Sequence, residues 1–243
     1  MQTYYIISII PHSPLVAVCP RELRATGFFL YCIGKLMARI SAFIDGFNLY
    51  HAIANNTNYR HYKWLNLRKL INLYMRKQDV LVDVFYFTSL ATWNPDKAQR
   101  HELYIKAQTF FGVKPIYGNF KKVTKQCNAD CRKCYKTYEE KETDVNIAVQ
   151  LYEQAVKNTY DTAIILSGDS DQVPAIKAIK NSFPTKKVNI LIPPGRDTNL
   201  LKQTADQYFK ITHKQLSTSL LPDIITLADG TQISCPMKWK IKT

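Results

Sequence analysis

The stretch Thr162-Ala-Ile-Ile-Leu-Ser-Gly-Asp-Ser-Asp171 constrains this chain more than any other. Ala163 to Leu166 form an apolar run that passes at once into Ser167, Gly168 and two aspartates one residue apart. A short apolar run ending in a glycine turn reads as a buried strand of a parallel sheet. Open α/β sheets carry their chemistry just beyond the carboxyl ends of such strands. Asp169 and Asp171 are therefore expected at the sheet's active edge, with Gly168 allowing a sharp turn. Two carboxylates this close repel each other and call for a positive partner. A divalent cation such as Mg²⁺ fits, because hard cations take carboxylate oxygens.

Two other places repeat the pattern. Ile40 to Ile44 is an apolar run that ends in Asp45-Gly46-Phe47-Asn48. Asp144, within Glu142-Thr143-Asp144-Val145-Asn146, opens a segment whose apolar residues Val145, Ala148, Val149 and Tyr152 recur as on a helix. Each aspartate alone is an ordinary turn or cap residue. The three places together point to a shared metal site of Asp45, Asp144, Asp169 and Asp171. Asn48 falls one turn beyond Asp45 and is expected to face the same site.

The remaining elements follow in order. Val80 to Phe87 reads as a second buried strand. Asn94-Pro95 opens a helix that closes at Gly112. Val113 to Tyr117 is a short strand, and residues 118–140 read as a loop rich in Lys and Cys. A helix over 143–157, the strand 162–167, a helix over 172–182 and a strand over 187–192 come next. A short helix over 198–205 and a strand over 208–211 complete the domain, taken as 37–215. Residues 216–243 read as a tail with a hairpin at Asp229-Gly230, packed on the domain or used on a partner, including a second copy of the chain. Residues 1–36 fit poorly with the rest; Met37 precedes the first strand, and one expectation is that translation starts there. No uninterrupted apolar run reaches the length of a membrane span.

Charge narrows the partner. With a formal net charge of +14 the chain is expected to meet a polyanion, most often nucleic acid. Three of the six cysteines, Cys127, Cys131 and Cys134, lie within eight residues, unlike a secreted disulfide framework. A reducing, cytoplasmic setting is expected. That spacing also suits Zn²⁺, with Cys235, His101 or a second chain as fourth ligand; reduced thiols in a basic loop are the alternative.

Phe43-Ile-Asp45-Gly-Phe-Asn48-Leu-Tyr50, Lys141-Glu-Thr-Asp144-Val-Asn-Ile-Ala148 and Leu166-Ser-Gly-Asp169-Ser-Asp171, in that order, resemble the NYN domain, a branch of the PIN-like nucleases that includes the LabA-like proteins. The resemblance covers roughly residues 38–212. It implies a PIN-like α/β/α fold with a central, mainly parallel sheet, and a Mg²⁺- or Mn²⁺-dependent ribonuclease. It also implies that Asp45, Asp144, Asp169 and Asp171 are the acidic metal-site residues, with Asn48 and Ser167 beside them to orient a phosphate or water. Two other readings stay open: an RNA-binding or adaptor module that keeps the acidic pocket without turnover, and a phosphohydrolase of small phosphates. The latter class typically carries Asp-x-Asp at the first strand end, whereas this chain reads Asp45-Gly-Phe-Asn48, without the second aspartate.

Overall fold

The computed structural model describes residues 37–127 and 131–240. The expectations for residues 1–36, including a start at Met37, lie outside the described residues. Six strands build the central sheet: β1 (Arg39–Asp45), β2 (Val80–Thr88), β3 (Val113–Tyr117), β6 (Thr162–Leu166), β7 (Lys187–Ile192) and β8 (Gln207–Lys210). They are all parallel and lie in the order β3-β2-β1-β6-β7-β8. The α/β/α fold expected from the sequence is the fold observed.

Alternation along β1 builds the layers. Successive side chains of a strand point to opposite faces. Ala42 and Ile44 join a core with Leu49, Ile53, Leu70 and Ile105, from helices α1 (Gly46–Ala54), α2 (Leu67–Asn72) and α3 (Pro95–Phe110). Phe43 joins a second core with Ile147, Leu151, Ile176 and Ile179, from α4 (Thr143–Val156) and α5 (Val173–Ser182). β1 and β6 pair from Ile40↔Thr162 to Ile44↔Leu166, so their carboxyl ends finish side by side. From β1 the sheet grows through β2 to β3, and from β6 through β7 to β8. The junction of β1 and β6 is thus the point where the winding reverses, which is where open α/β sheets form a crevice.

Residues 118–140 are not the expected loop. β4 (Asn119–Gln126) and β5 (Cys134–Lys141) pair antiparallel from Asn119↔Lys141 to Gln126↔Cys134. Neither strand has a fully buried residue, so the apolar alternation that would announce a strand is missing. Charge supports the ribbon instead: Glu139 pairs across the strands with Lys125 at 2.6 Å and along its own strand with Lys141 at 3.0 Å.

The C-terminal segment packs on the body. Helix α7 (His213–Thr218) leads into strands β9 (Ile224–Thr226) and β10 (Gln232–Ser234), and Ile225 pairs with Ile233. Leu216, Leu221, Ile225, Ile233 and Cys235 belong to the same core as Ile44 and Tyr104. The indole of Trp64 donates to the Pro222 carbonyl at 2.9 Å. Among the described residues no helix is long and apolar enough to cross a membrane.

The hairpin's two faces should differ sharply. Ile233→Ala, at a buried position, is expected to cost about 2–5 kcal/mol. Ile224→Ala, at a position 55% exposed, should stay within about 0.5 kcal/mol. Denaturant unfolding of both variants checks this; equal effects would mean that the segment does not share the core.

Candidate metal centre

Asp45 ends β1 and caps α1. Its Oδ1 accepts from the Asn48 amide at 2.9 Å, satisfying one open donor of the helix start. Its Oδ2 accepts from the Ser167 hydroxyl at 2.9 Å. Ser167, fully buried after β6, also accepts from the Asp169 amide through Oγ at 3.0 Å. The Asn48 carboxamide oxygen accepts from the Gly168 amide, also at 3.0 Å. Four hydrogen bonds therefore fasten the ends of β1 and β6 and their turns. Glycine is needed at two places here. A Cβ on Gly46 would come within 2.5 Å of the Phe87 carbonyl, and one on Gly168 within 2.6 Å of the Arg196 Cβ.

The other carboxylates arrive from the turn after β6 and from α4. Asp169 Oδ1 accepts from the Asp171 amide at 3.0 Å and caps a short 3₁₀ turn, Ser170–Gln172. Asp144 lies in the first turn of α4, and its Oδ1 accepts from the Gln172 carboxamide at 3.0 Å. Gln172 is buried, and its Oε1 has no hydrogen-bond partner among the described residues. One oxygen each from Asp144, Asp169 and Asp171 lies within 4.8 Å of the other two. Asp45, Asn48, Glu140, Asp144 and Asp169 line an open pocket of about 160 Å³, with His51 and Arg196 at its wall.

The charges are unbalanced. Among the described residues, Asp45, Asp144, Asp169 and Asp171 form no ion pair with a Lys or Arg. Burial pushes the Asp45 carboxyl up to about 6, against the pull of its bonds from Asn48 and Ser167; Asp144 and Asp169 add repulsion. Burial raises Asp144 as well, with further repulsion from Asp169, Glu140 and Asp171. An all-oxygen donor set, with the Asp144 carboxyl raised and an unsatisfied amide oxygen beside it, fits a hard divalent cation.

The sequence-derived residues thus meet at one rim with different placements. Asp144, Asp169 and Asp171 form one set. Asp45 shares their pocket, but both its oxygens already accept hydrogen bonds, and it stands outside the 4.8 Å set. Asn48 Oδ1 and Ser167 Oγ hold backbone and carboxylate groups in place. Glu140, Gln172 and Arg196 escaped the sequence reading. Glu140 comes from the unrecognised ribbon, and it accepts from the Thr143 amide at 3.1 Å beside the start of α4. His51, which the sequence reading does not include, lines the pocket; burial, then Lys97 and Arg196, lowers its pKa.

The cysteines lie elsewhere, at the ribbon's tip. Cys127, Cys131 and Cys134 are free thiols, and Cys131 is lowered by the Lys133 backbone and by a hydrogen bond from Cys127. Among the described residues no set of three close metal-ligating groups includes a cysteine. Neither fourth ligand foreseen within the chain is available. His101 Nε2 sits 3.3 Å from the Tyr86 hydroxyl and 3.2 Å from Thr88 Oγ1, and Cys235 is buried in the core.

Known proteins resemble this chain in sequence and in fold. The NYN domain family model matches residues 39–213. 6-Hydroxy-3-succinoylpyridine 3-monooxygenase HspA of Pseudomonas putida is 23% identical over 226 residues, covering 77% of this chain and 71% of that protein. A Vibrio parahaemolyticus protein of unknown function has a similar fold, with a TM-score of 0.52 at 17% identity over 76% of this chain and 97% of its own.

The raised Asp45 pKa has a signed consequence. The folded protein holds this proton more tightly than the unfolded chain. The group's contribution to stability is therefore greatest at low pH and declines as pH rises through about 6. Asp45→Asn removes that decline and is expected to stabilise the metal-free protein at pH 7.5 by up to about 3 kcal/mol. Denaturant unfolding in EDTA at pH 4.5 and 7.5 checks it; a variant destabilised at pH 7.5 would show that the carboxylate is held comfortably.

Proposed function

From the premise that the chain belongs to the NYN domain family, we propose that it is a metal-dependent ribonuclease of the PIN-like superfamily. One observation carries the reading: three carboxylate oxygens within 4.8 Å of one another at the sheet's reversal point, with no Lys or Arg among the described residues paired to them. Asp144, Asp169 and Asp171 are the ligands in this reading, and Asp45 the fourth acidic wall. A bound Mg²⁺ or Mn²⁺ supplies Lewis-acid stabilisation of a phosphoryl oxygen and lowers the pKa of an attacking water.

The chain's own groups do the rest. Ser167 and Asn48 hold the two strand ends in register, so Asp45 and Asp169 face one phosphate. Gln172 orients the Asp144 carboxylate. Arg196 brings positive charge to the pocket wall, suited to a phosphate oxygen. The ribbon offers a path for the strand beyond. Its register puts Phe120, Lys122, Lys136 and Tyr138 on one face. Tyr138 lies parallel to Trp93 at 3.7 Å, so its ring is committed within the protein. Lys122 and Lys136 remain for the RNA backbone. At the ribbon's tip, Zn²⁺ on Cys127, Cys131 and Cys134 belongs to this reading only with a fourth ligand from a second copy or water. We place the protein in a reducing cytoplasm.

A second reading has its own support. The Pseudomonas relative is named for oxygenation of a substituted pyridine, and an aromatic-walled cavity adjoins the acidic pocket. Turnover of a small aromatic acid is that alternative; an RNA-binding module without turnover is the third.

Asp169→Asn is expected to lower Mn²⁺-dependent cleavage of a labelled single-stranded RNA by at least about 100-fold, and EDTA to abolish it. Cleavage that survives both would be foreign to this site and would leave the binding module ahead.

A further inference from the structure

A second cavity, of about 100 Å³, opens beside the acidic pocket. Phe47 and His51 of α1 line both, so the two are next-door compartments. Its walls include Tyr50, Tyr86, Tyr104, Phe120 and Trp239. Its charged lining is entirely positive: Lys63, Lys97 and Arg100, with no carboxylate among the lining residues. Lys63 and Lys97 each place Nζ 5.8 Å from the centre of the Tyr50 ring. Ser89, 2% exposed, also lines it, and its Oγ has no hydrogen-bond partner among the described residues. His101 is held neutral, its pKa lowered to about 4 by burial and then by Lys97.

Each feature narrows the occupant. Aromatic faces stack on unpaired bases, which duplexes do not offer. A wholly cationic rim suits the phosphates that flank such a base. A closed cavity of about 150 Å³ takes a benzene-sized ring, so this one, at about 100 Å³ and partly open, is too small for a two-ring base and takes at most a single ring seated partly outside it.

We propose that this cavity receives the base of the nucleotide next to the phosphate at the acidic pocket, and that its size makes that base a pyrimidine. The substrate is then a single-stranded, pyrimidine-bearing RNA. This assignment rests on the ribonuclease reading above and adds its base selectivity.

The test reads binding, without turnover. Full-length protein in EDTA is titrated with pentauridylate, pentacytidylate and pentaadenylate, followed by tryptophan fluorescence, with Trp239→Phe identifying the cavity's signal. Both pyrimidine oligomers should bind at least about 10-fold tighter than pentaadenylate. Tyr50→Leu should remove that preference. Lys97→Ala, at an exposed position and safe for folding, should weaken all three and flatten the salt dependence. Equal affinities for the three oligomers would overturn the pyrimidine pocket even where the protein cuts RNA. Tight binding of a pyridine carboxylate that the oligomers cannot displace would overturn it in favour of a small aromatic acid. A pyrimidine preference without any metal-dependent cleavage would uphold the pocket and sink the nuclease.

Discussion

The hydroxyl of Ser167 is the joint on which the site depends. It donates to Asp45 and accepts from the Asp169 amide, so one buried atom couples the ends of two adjacent parallel strands. Those ends carry charges that repel. The fold answers the repulsion with geometry: hydrogen bonds from Asn48, Ser167, Asp171 and Gln172 fix the carboxylates where like charge would drive them apart. Each such bond favours the ionised form. Burial works against it and, at Asp45 and Asp144, prevails. Negative charge held this way is a standing attraction for a cation, because a cation relieves both the repulsion and the desolvation.

The sheet makes the confinement affordable. β1 is paired on both sides and buried on both faces; Asp45 pairs with Phe87 of β2, one residue beyond the Ile44↔Leu166 end of the β6 ladder, so it is held at the rim. Gly46 lets α1 leave the strand against the Phe87 carbonyl, closer than any side chain would allow. Asp144 comes from a different direction, at the start of a helix whose dipole favours negative charge there. The Gln172 carboxamide links that helix to the turn after β6, so the placement of Asp144 is tied to the turn that carries Asp169 and Asp171.

The fold was readable where burial dictated composition. Ala163 to Leu166 and Ile40 to Ile44 are apolar because both faces of those strands are covered. The aspartates behind them were readable because a charge at the end of such a run needs a reason. The ribbon was not readable: it stands away from the core, so Lys121, Lys122, Lys125 and Lys136 carry no burial signal. Missing it also hid Glu140, which reaches the pocket only through strand pairing. The cavity was invisible for a related reason. Tyr50, Tyr104, Phe120 and Trp239 lie far apart in the chain, and each alone looks like a core or surface aromatic. Asp45 was foreseen as an equal partner of the other aspartates, but the sequence does not show that its oxygens already accept from Asn48 and Ser167.

The ribbon and the acidic pocket are mechanically one piece, which bears on how a bound strand would be felt. β5 ends at Lys141 and α4 begins at Thr143, leaving Glu142 as the only residue between them. Glu142 takes the left-handed conformation at φ 76°, a sharp corner that a longer linker would not need. Glu140 accepts from both the amide and the hydroxyl of Thr143, and a Cβ on Gly118 would come within 2.6 Å of the Lys141 carbonyl. The corner is therefore packed from both sides. Phe120 touches Phe47 on α1 and Trp93 ahead of α3, which pins the base of the ribbon to the body. Asp144 follows one residue after Thr143. The paired strands that carry Lys122 and Lys136 thus lead through one packed corner directly to a carboxylate of the site.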